Sequence, residues 1–179
     1  MTHINLQPGL ENDSVLLQSL KSSDFEKLYE VARDPEVWSM HPNKDRYKRE
    51  VFQNFFKGAL ESGGAFLIIN KSDNAVIGST RFYDYDAESK SILIGYTFYG
   101  KAYWGRGFNA QVKKLMLDYI FRFVDTVDFH VGRDNLRSVR AMEKLGAENT
   151  GEQEIAYYGE APKINIIFRI NKEQWAKRH

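Results

Sequence analysis

The sequence predicts an α+β fold in which helices flank one mixed sheet. A predicted strand at residues 91–98 runs through a glycine-rich loop into an amphipathic helix, and another predicted strand follows that helix. A strand–helix–strand connection favours parallel pairing, whereas the short turns elsewhere favour antiparallel pairing. We therefore expect a mostly antiparallel central sheet with one parallel pair of strands.

The first third of the chain supplies an outer strand and two helices. Residues 1–12 are polar and predict a loose arm or a short edge strand, and residues 15–20 predict the first full strand. A capping Ser-Ser-Asp segment at residues 22–24 starts a helix that stops before the Asp-Pro pair at residues 34–35. A second helix over residues 45–61 is closed by a glycine pair.

The remaining elements are three strands in a meander, a helix, a strand, a helix, a hairpin and a terminal helix. Their predicted bounds are residues 65–69, 75–85, 91–99, 112–124, 127–131, 137–145, 152–158, 164–170 and 172–177. Apolar residues recur every three or four positions in the long central helix, so one face should pack on the sheet. Its other face should be exposed to solvent at Gln111, Lys113, Lys114, Asp118 and Arg122.

Length and charge limit the class of protein. A chain of 179 residues suits one domain over residues 1–179, and it has a formal net charge of +1. This charge provides no field for nucleic acid or an anionic membrane. The sequence has neither a run of about 18 apolar residues nor a basic segment followed by an apolar one at its start. We expect a cytoplasmic protein, monomeric or homodimeric, without nucleic-acid or membrane partners.

Cysteine and histidine usage limits the chemistry. Cysteine is absent, which excludes disulfides and a covalent acetyl-cysteine intermediate. The histidines are His3, His41, His130 and His179, and two of them lie near the chain ends. This spacing does not predict a metal site.

The glycine-rich loop at residues 103–111 indicates a ligand. Because it opens a helix, unpaired backbone N–H groups and the positive end of the helix dipole meet there, which suits phosphate. A Walker loop requires Gly-Lys-Ser/Thr, but Phe108 and Asn109 follow Gly107. The spacing of Gly105, Gly107 and Ala110 matches a dinucleotide fingerprint, yet too little sequence follows for a doubly wound sheet. A nicotinamide-dinucleotide site is therefore the weaker alternative.

Three blocks of sequence together resemble the GNAT N-acetyltransferases, and most closely their RimJ/RimL-type subgroup. The blocks are residues 94–98, residues 103–109, and residues 135–138 with 143–146, in the family's order and spacing. The resemblance implies the GNAT-like acyl-CoA N-acyltransferase fold, in which the parallel strand pair splays apart around the pantetheine. It also implies an acetyl-CoA-dependent enzyme that moves the acetyl group directly to a primary amine. That amine would belong to a protein N-terminus or a small molecule.

The resemblance also assigns the contacts to acetyl-CoA, as co-substrate and without a metal. Asn109 stands where the family usually has a small residue, and Asn135 is also a favoured helix cap. The implied contact residues are Phe98, Tyr99, Gly100, Trp104, Gly105, Arg106, Gly107, Phe108, Asn109, Ala110, Asn135 and Ser138.

Two proton-transfer residues common in the family are absent. The strand at residues 92–99 lacks the usual glutamate, and Met142 stands where many members have a tyrosine. Ser138 and His41 are the candidates for catalytic roles, and His130 is a candidate for touching the substrate. Bound reactants can also transfer an acetyl group by positioning, with water carrying the proton. The alternative is a CoA-binding regulatory domain that has lost activity.

Tyrosines of the predicted strands are candidates for an aromatic acceptor pocket, although strand tyrosines also pack in cores. They are Tyr83, Tyr85, Tyr96, Tyr157 and Tyr158.

Overall fold

An eight-stranded sheet runs through the computed structural model, which describes residues 3–178. Its strands are β1 (Leu10–Glu11), β2 (Val15–Ser19), β3 (Ala65–Asn70), β4 (Ala75–Asp86), β5 (Ser91–Tyr99), β6 (Thr126–Gly132), β7 (Glu148–Ile155) and β8 (Lys163–Asn171). In space they follow the order β1-β2-β3-β4-β5-β6-β8-β7. Of the two alternatives predicted near the N-terminus, a loose arm or a short edge strand, the structure has a short edge strand, β1. Met1, Thr2 and His179 lie outside the described residues.

Helices flank this sheet, as predicted. They are α1 (Phe25–Ala32), α2 (Arg49–Ser62), α3 (Phe108–Ile120), α4 (Leu136–Leu145) and α5 (Lys172–Arg178). Apolar residues of α1 and α2 form one buried cluster with β3 and the end of β5. Residues of α3, α4 and α5 form the other with β4, β5, β6 and β8. Within the described chain, no helix has both the length and the apolar character needed to cross a membrane.

The parallel strand pair is confirmed, and it is short. Residues 91–93 of β5 pair in parallel with residues 126–128 of β6, and the other strand pairs of the sheet are antiparallel. Beyond these three pairs β5 continues to Tyr99 and β6 to Gly132 without bonding to each other. The two strands therefore separate toward their C-terminal ends.

Several element boundaries differ from the prediction. Helix α2 begins at Arg49 rather than at residue 45, because residues 45–48 form a turn in which Lys48 N–H donates to the Asp45 carbonyl at 2.9 Å. Strand β7 begins at Glu148 rather than at residue 152 and ends at Ile155. Almost all of β7 is exposed at the sheet edge, so no apolar alternation in the sequence marks its bounds.

The prediction that Lys113 faces solvent is wrong. Its side chain is 2% exposed and lies between α3 and β5. Periodicity arguments place a lysine on the polar face, because burying a charge is costly. Here two neutral oxygens accept hydrogen bonds from the amine, at Thr97 and Asn109, and they offset part of that cost.

Candidate active site

The glycine-rich loop joins β5 to α3 and leaves its backbone open. Gly105 and Gly107 have φ values of +70° and +81°, which glycine adopts without strain. Gly107 caps α3 and no side chain caps this helix end, so the first N–H groups of α3 have no side-chain partner there. A Cβ atom at either glycine would meet nothing within 4 Å. The loop therefore presents free donors to open space, as an anion site requires.

Trp104 fixes this loop to the end of β5. Its indole Nε1–H donates to the Tyr99 carbonyl at 2.9 Å, and the Arg137 guanidinium lies 3.6 Å from the centre of its ring. Arg106 is exposed and lies 5.5 Å from the ring centres of both Tyr103 and Phe108. One arginine thus stacks on the loop from α4 while another projects from the loop itself.

A polar network lies directly beneath the loop, between α3 and β5. The Tyr99 hydroxyl donates to Asn109 Oδ1 at 2.9 Å, and Lys113 Nζ donates to the same oxygen at 3.2 Å. Lys113 also donates to Thr97 Oγ1 at 3.1 Å. The Asn109 side chain, which is larger than the family usually carries, is thus engaged beneath the loop. Sequence reasoning missed this network, although the four-residue spacing of Asn109 and Lys113 on one helix was a usable signal.

Burial determines the protonation of this network. It lowers the pKa of Lys113 from 10.5 to about 7, and no neighbouring charge contributes to that shift. Burial also raises the pKa of Tyr99, which therefore stays a neutral donor at physiological pH. The amine beside the loop consequently changes charge near neutrality.

A bulge in β5 reverses which of its alternating residues face the α2 side of the sheet and which face the α3 side. The pairing of β4 with β5 shifts between Ser79 and Arg81, and Tyr96 has a left-handed φ of +54°. Left-handed backbone at a residue other than glycine costs about 1–3 kcal/mol and is concentrated at functional sites. As a result the Tyr96 ring packs on the α2 side of the sheet while Thr97 bonds to Lys113 on the α3 side.

A cavity of about 630 Å³ opens on the α2 side, where β5 and β6 separate. We call it the tyrosine-lined cavity. Its lining residues are Gly58, Glu61, Ser62, Arg81, Tyr83, Asp84, Tyr96, His130, Glu154, Ile155, Ala156, Tyr157 and Tyr158. The structure thus brings together all but one of the tyrosines singled out from the sequence. Tyr85 is 40% exposed and does not line the cavity.

The tyrosine rings of the cavity are fixed by contacts with one another and with the chain. Tyr96 lies edge-on to Tyr83 at 5.1 Å and to Tyr157 at 5.3 Å between ring centres. The Tyr157 hydroxyl bonds to Asn165 Oδ1 and to the His130 carbonyl. The Tyr158 backbone N–H donates to the Tyr96 hydroxyl at 3.0 Å. Burial raises the pKa of Tyr83 and of Tyr157, so these two hydroxyls remain protonated.

Two arginines lie behind the aromatic wall, and sequence reasoning did not anticipate either. Arg46 is 2% exposed and forms a bidentate ion pair with Glu160, with both contacts at 2.8 Å. Arg81 is 3% exposed, lines the cavity and lies 3.5 Å from the centre of the Tyr96 ring. Arginine is rarely buried in proteins, so the residue type alone gave no reason to place either of them in the interior.

The two interior histidines occupy different places. His130 is half-buried and lines the tyrosine-lined cavity; burial lowers its pKa, and the charges of Asp128 and Asp84 oppose that shift. His41 packs edge-on to Trp38 at 5.0 Å between ring centres and does not line the cavity. Its pKa falls to about 3, first through burial and then through the positive charges of two nearby arginines. Both imidazoles are therefore neutral at physiological pH.

The motif at the start of α4 has a structural role. Asn135 caps the helix, because its Oδ1 accepts from the Ser138 backbone N–H at 3.3 Å. Met142 is 4% exposed and belongs to the core cluster beneath α3. Ser138 is half-buried. Met142, which stands where many family members have a tyrosine, has no hydroxyl group to donate.

Metal ligands do not gather in the part of the chain that the structure describes. Residues 3–178 hold no group of three or more His, Asp or Glu that could bind a metal ion. The ligand-binding features are instead the glycine-rich loop and the tyrosine-lined cavity, and β5 contributes to both.

A family model described as an acetyltransferase (GNAT) domain matches residues 14–148, more than half of the chain. The chain belongs to the GNAT acetyltransferase family. It is accordingly an N-acetyltransferase, and the fold of this family binds acyl-CoA. The mixed, mostly antiparallel sheet also contradicts the alternative of a dinucleotide site, which requires a doubly wound sheet.

Solved structures share this fold at low sequence identity. A GCN5-related N-acetyltransferase from Brucella melitensis superposes with a TM-score of 0.81 at 18% identity, covering 95% of this chain and 81% of that one. A spermidine N-acetyltransferase from Vibrio cholerae, in complex with CoA and spermine, gives 0.70 at 15% identity over 92% and 99% of the two chains. A ribosomal-protein-S5-alanine acetyltransferase from Vibrio fischeri gives 0.70 at 15% identity over 94% and 99%.

Proposed function

We propose that this N-acetyltransferase moves the acetyl group of acetyl-CoA directly to a primary amine held in the tyrosine-lined cavity. One observation carries the proposal: the glycine-rich loop and the cavity are built on the same strand, β5, at the point where it leaves β6. Acetyl-CoA lying in this gap would have its phosphates at the loop and its thioester carbonyl near the amine. Holding two reactants in this way supplies much of the rate of acyl transfer.

In this proposal the pyrophosphate of CoA binds over residues 105–110. The free N–H groups of the first turn of α3 and the exposed Arg106 would bind its oxygens, while Trp104 holds the loop on β5. The pantetheine would run along residues 97–100, with Asn135 and Ser138 on its other side. Phe98 is fully packed on the α2 side, so its contact would come through its backbone.

The bulge in β5 would support the chemical step. A left-handed residue at Tyr96 interrupts pairing with β4 and turns backbone N–H groups away from the ladder, where one could polarise the thioester carbonyl. The amine attacks that carbonyl, a C–N bond forms, the C–S bond breaks, and CoA leaves as its thiolate. The amine proton goes to water or to His130, which lines the cavity, rather than to His41, which does not. Ser138 remains the proposed donor to the departing sulfur.

The proposed acceptor is a primary amine of a protein N-terminus or of a small molecule. The similar structures include a spermidine acetyltransferase and a ribosomal-protein acetyltransferase. Together with the loop sequence at residues 103–109, the second likeness supports placing the chain in the RimJ/RimL-type subgroup. We also keep the proposal that it acts in the cytoplasm as a single domain.

Binding of CoA to variants of the loop tests the proposal. Gly107→Val places a branched side chain in the open space above the loop, so titration calorimetry should show a CoA dissociation constant raised at least about tenfold. Gly63→Val is the matched control, because Gly63 also lies at a helix terminus, the C-terminal end of α2, with a left-handed φ of +66° and no atom of the described chain within 4 Å of an added Cβ. It should lose similar stability and keep CoA binding. Saturable NADH binding without CoA binding would refute the proposal.

A further inference from the structure

Arg81 is a buried guanidinium in the wall of the tyrosine-lined cavity. Its side chain is 3% exposed and extends from β4 beneath the rings of Phe55 and Tyr96. Burial lowers its pKa, but only to about 10, so the group is still a cation at neutral pH. The cavity therefore has one fixed positive charge in its wall.

This guanidinium has no carboxylate partner among the described residues. The ion pairs of residues 3–178 do not include Arg81. Within the described chain its side chain donates one hydrogen bond, from Nη2 to the Phe55 carbonyl at 3.4 Å, near the limit for such a bond. No side-chain nitrogen of the described chain is both sealed from solvent and without a partner. Since Arg81 lines the cavity, the cavity is where a ligand can reach its remaining donors.

The neighbouring buried charges do not neutralise it. Glu160 is the nearby buried carboxylate, and both of its oxygens are bound to Arg46 at 2.8 Å. Arg46, Arg81 and Glu160 thus leave an excess of one positive charge behind the aromatic wall. Stacking of Arg81 on Tyr96 offsets part of this cost, but a cation–π contact is weaker than the desolvation of an unpaired charge. A buried cation that the protein does not pair indicates an anion supplied by a ligand.

The rim of the same cavity has the opposite charge. Glu61, Asp84 and Glu154 line it and are exposed. Glu61 also accepts a hydrogen bond from the Tyr158 hydroxyl at 2.7 Å, which fixes it at the edge. A ligand that enters with an ammonium group and a carboxylate would meet acids at the rim and Arg81 in the wall.

Resting on the proposed function, we infer that the acceptor is an aminocarboxylate whose carboxylate pairs with Arg81. Either a free α-amino acid or an N-terminal acidic residue of a peptide offers this chemistry. A planar guanidinium open on one edge suits bidentate binding of a carboxylate. An acceptor with only positive charges would leave Arg81 unpaired and add to the positive excess behind the wall.

Matched acceptors test the inference on the unmodified enzyme. Phenylalanine is compared with its amide, and a peptide beginning with Asp is compared with the same peptide beginning with Asn. The kcat/KM of the carboxylate member should exceed that of its partner at least about tenfold, because a site built to bond a polar group discriminates strongly against its loss. The pair that shows the preference identifies the source of the carboxylate.

Variants of Arg81 test whether this residue causes the preference for the carboxylate acceptor. Arg81→Met should remove the preference by lowering kcat/KM for the carboxylate member alone, and Arg81→Lys should restore part of it. Arg33→Met, at an exposed arginine paired with Glu30, is the control and should change nothing. An equal loss for both members in Arg81→Met, or an unmodified enzyme that prefers the amide, would overturn the inference. If the variants do not fold, the comparison on the unmodified enzyme decides alone.

Failure of the proposed function can be distinguished from failure of the inference about Arg81. If no amine releases CoA, phenylalanine and the peptide beginning with Asp are each titrated into the CoA-saturated protein by calorimetry. Saturable binding that Arg81→Met abolishes would keep the carboxylate subsite while refuting amine acetylation. No binding of either ligand would overturn both the carboxylate subsite and amine acetylation.

Discussion

At the scale of single residues, Lys113 shows what a pattern of polar and apolar positions cannot predict. Its place in the helical repeat marks it as a surface lysine, yet it is buried against Thr97 and Asn109 beneath the glycine-rich loop. Whether a lysine is buried depends on oxygens brought by other elements, here by β5, and one helix cannot reveal them. The sequence did identify the glycines of the loop, because glycine is the residue type that adopts a left-handed backbone without strain.

Replacing Lys113 by methionine should make the protein more stable at neutral pH. The pKa of Lys113 is lowered from 10.5 in the unfolded chain to about 7 in the folded one, so between these values the unfolded state binds more protons. Stability therefore rises with pH through this window, by up to about 1.4 kcal/mol per pH unit, and is lowest at and below about pH 7. Lys113→Met should lack this rise, as urea unfolding across the window would show.

The control for this measurement is the next residue. Lys114 is exposed and paired with Asp118 at 2.6 Å, so Lys114→Met should follow the pH dependence of the unmodified protein. If Lys113→Met and the unmodified protein show the same slope, the amine is not buried as described. The mutation leaves no acceptor stranded, because Thr97 also bonds to Thr80 and Asn109 to Tyr99.

At the scale of elements, the order of strands and helices could be predicted because most of them have an apolar period of their own, whereas the exposed edge strand β7 has none and its bounds were predicted wrongly. The parallel pairing of β5 with β6 followed from the helical crossover between them. The bulge at Tyr96 could not be predicted, because the residue types that identify a strand do not show where an extra residue is inserted. That bulge positions Tyr96 in the cavity and Thr97 in the buried network. The sequence therefore could not predict which side chains of β5 face the cavity.

Gly58 tests whether α2 shapes the cavity. It lies inside the helix, where glycine costs about 1 kcal/mol relative to alanine, and a Cβ there would come within 2.7 Å of the Tyr158 ring. Gly58→Ala should therefore displace Tyr158 and raise the KM for the acceptor severalfold, while the CoA dissociation constant stays unchanged. Steady-state kinetics with both substrates varied would separate the two effects. Unchanged acceptor kinetics would exclude Tyr158 from the acceptor site.

At the scale of the whole molecule, the account depends on the two faces of one sheet. The α3 side presents the glycine-rich loop, and the α2 side encloses the tyrosine-lined cavity. Strand β5 reaches both sides, because strand residues alternate between the faces and its bulge shifts that alternation so that Tyr96 faces the cavity. The sequence predicted the first side well, because a backbone site depends on glycine and on a helix start. It predicted the charges of the second side poorly, because Arg46, Arg81 and Glu160 come from distant parts of the chain.

The most direct test of the central claim is turnover with acetyl-CoA and a panel of primary amines, following released CoA by thiol titration and the amine by mass spectrometry. The account predicts that at least one amine becomes acetylated in step with CoA release, and that Gly107→Val slows this reaction while Gly63→Val does not. Tight CoA binding without acetylation of any amine, or CoA release without an acetylated product, would contradict it.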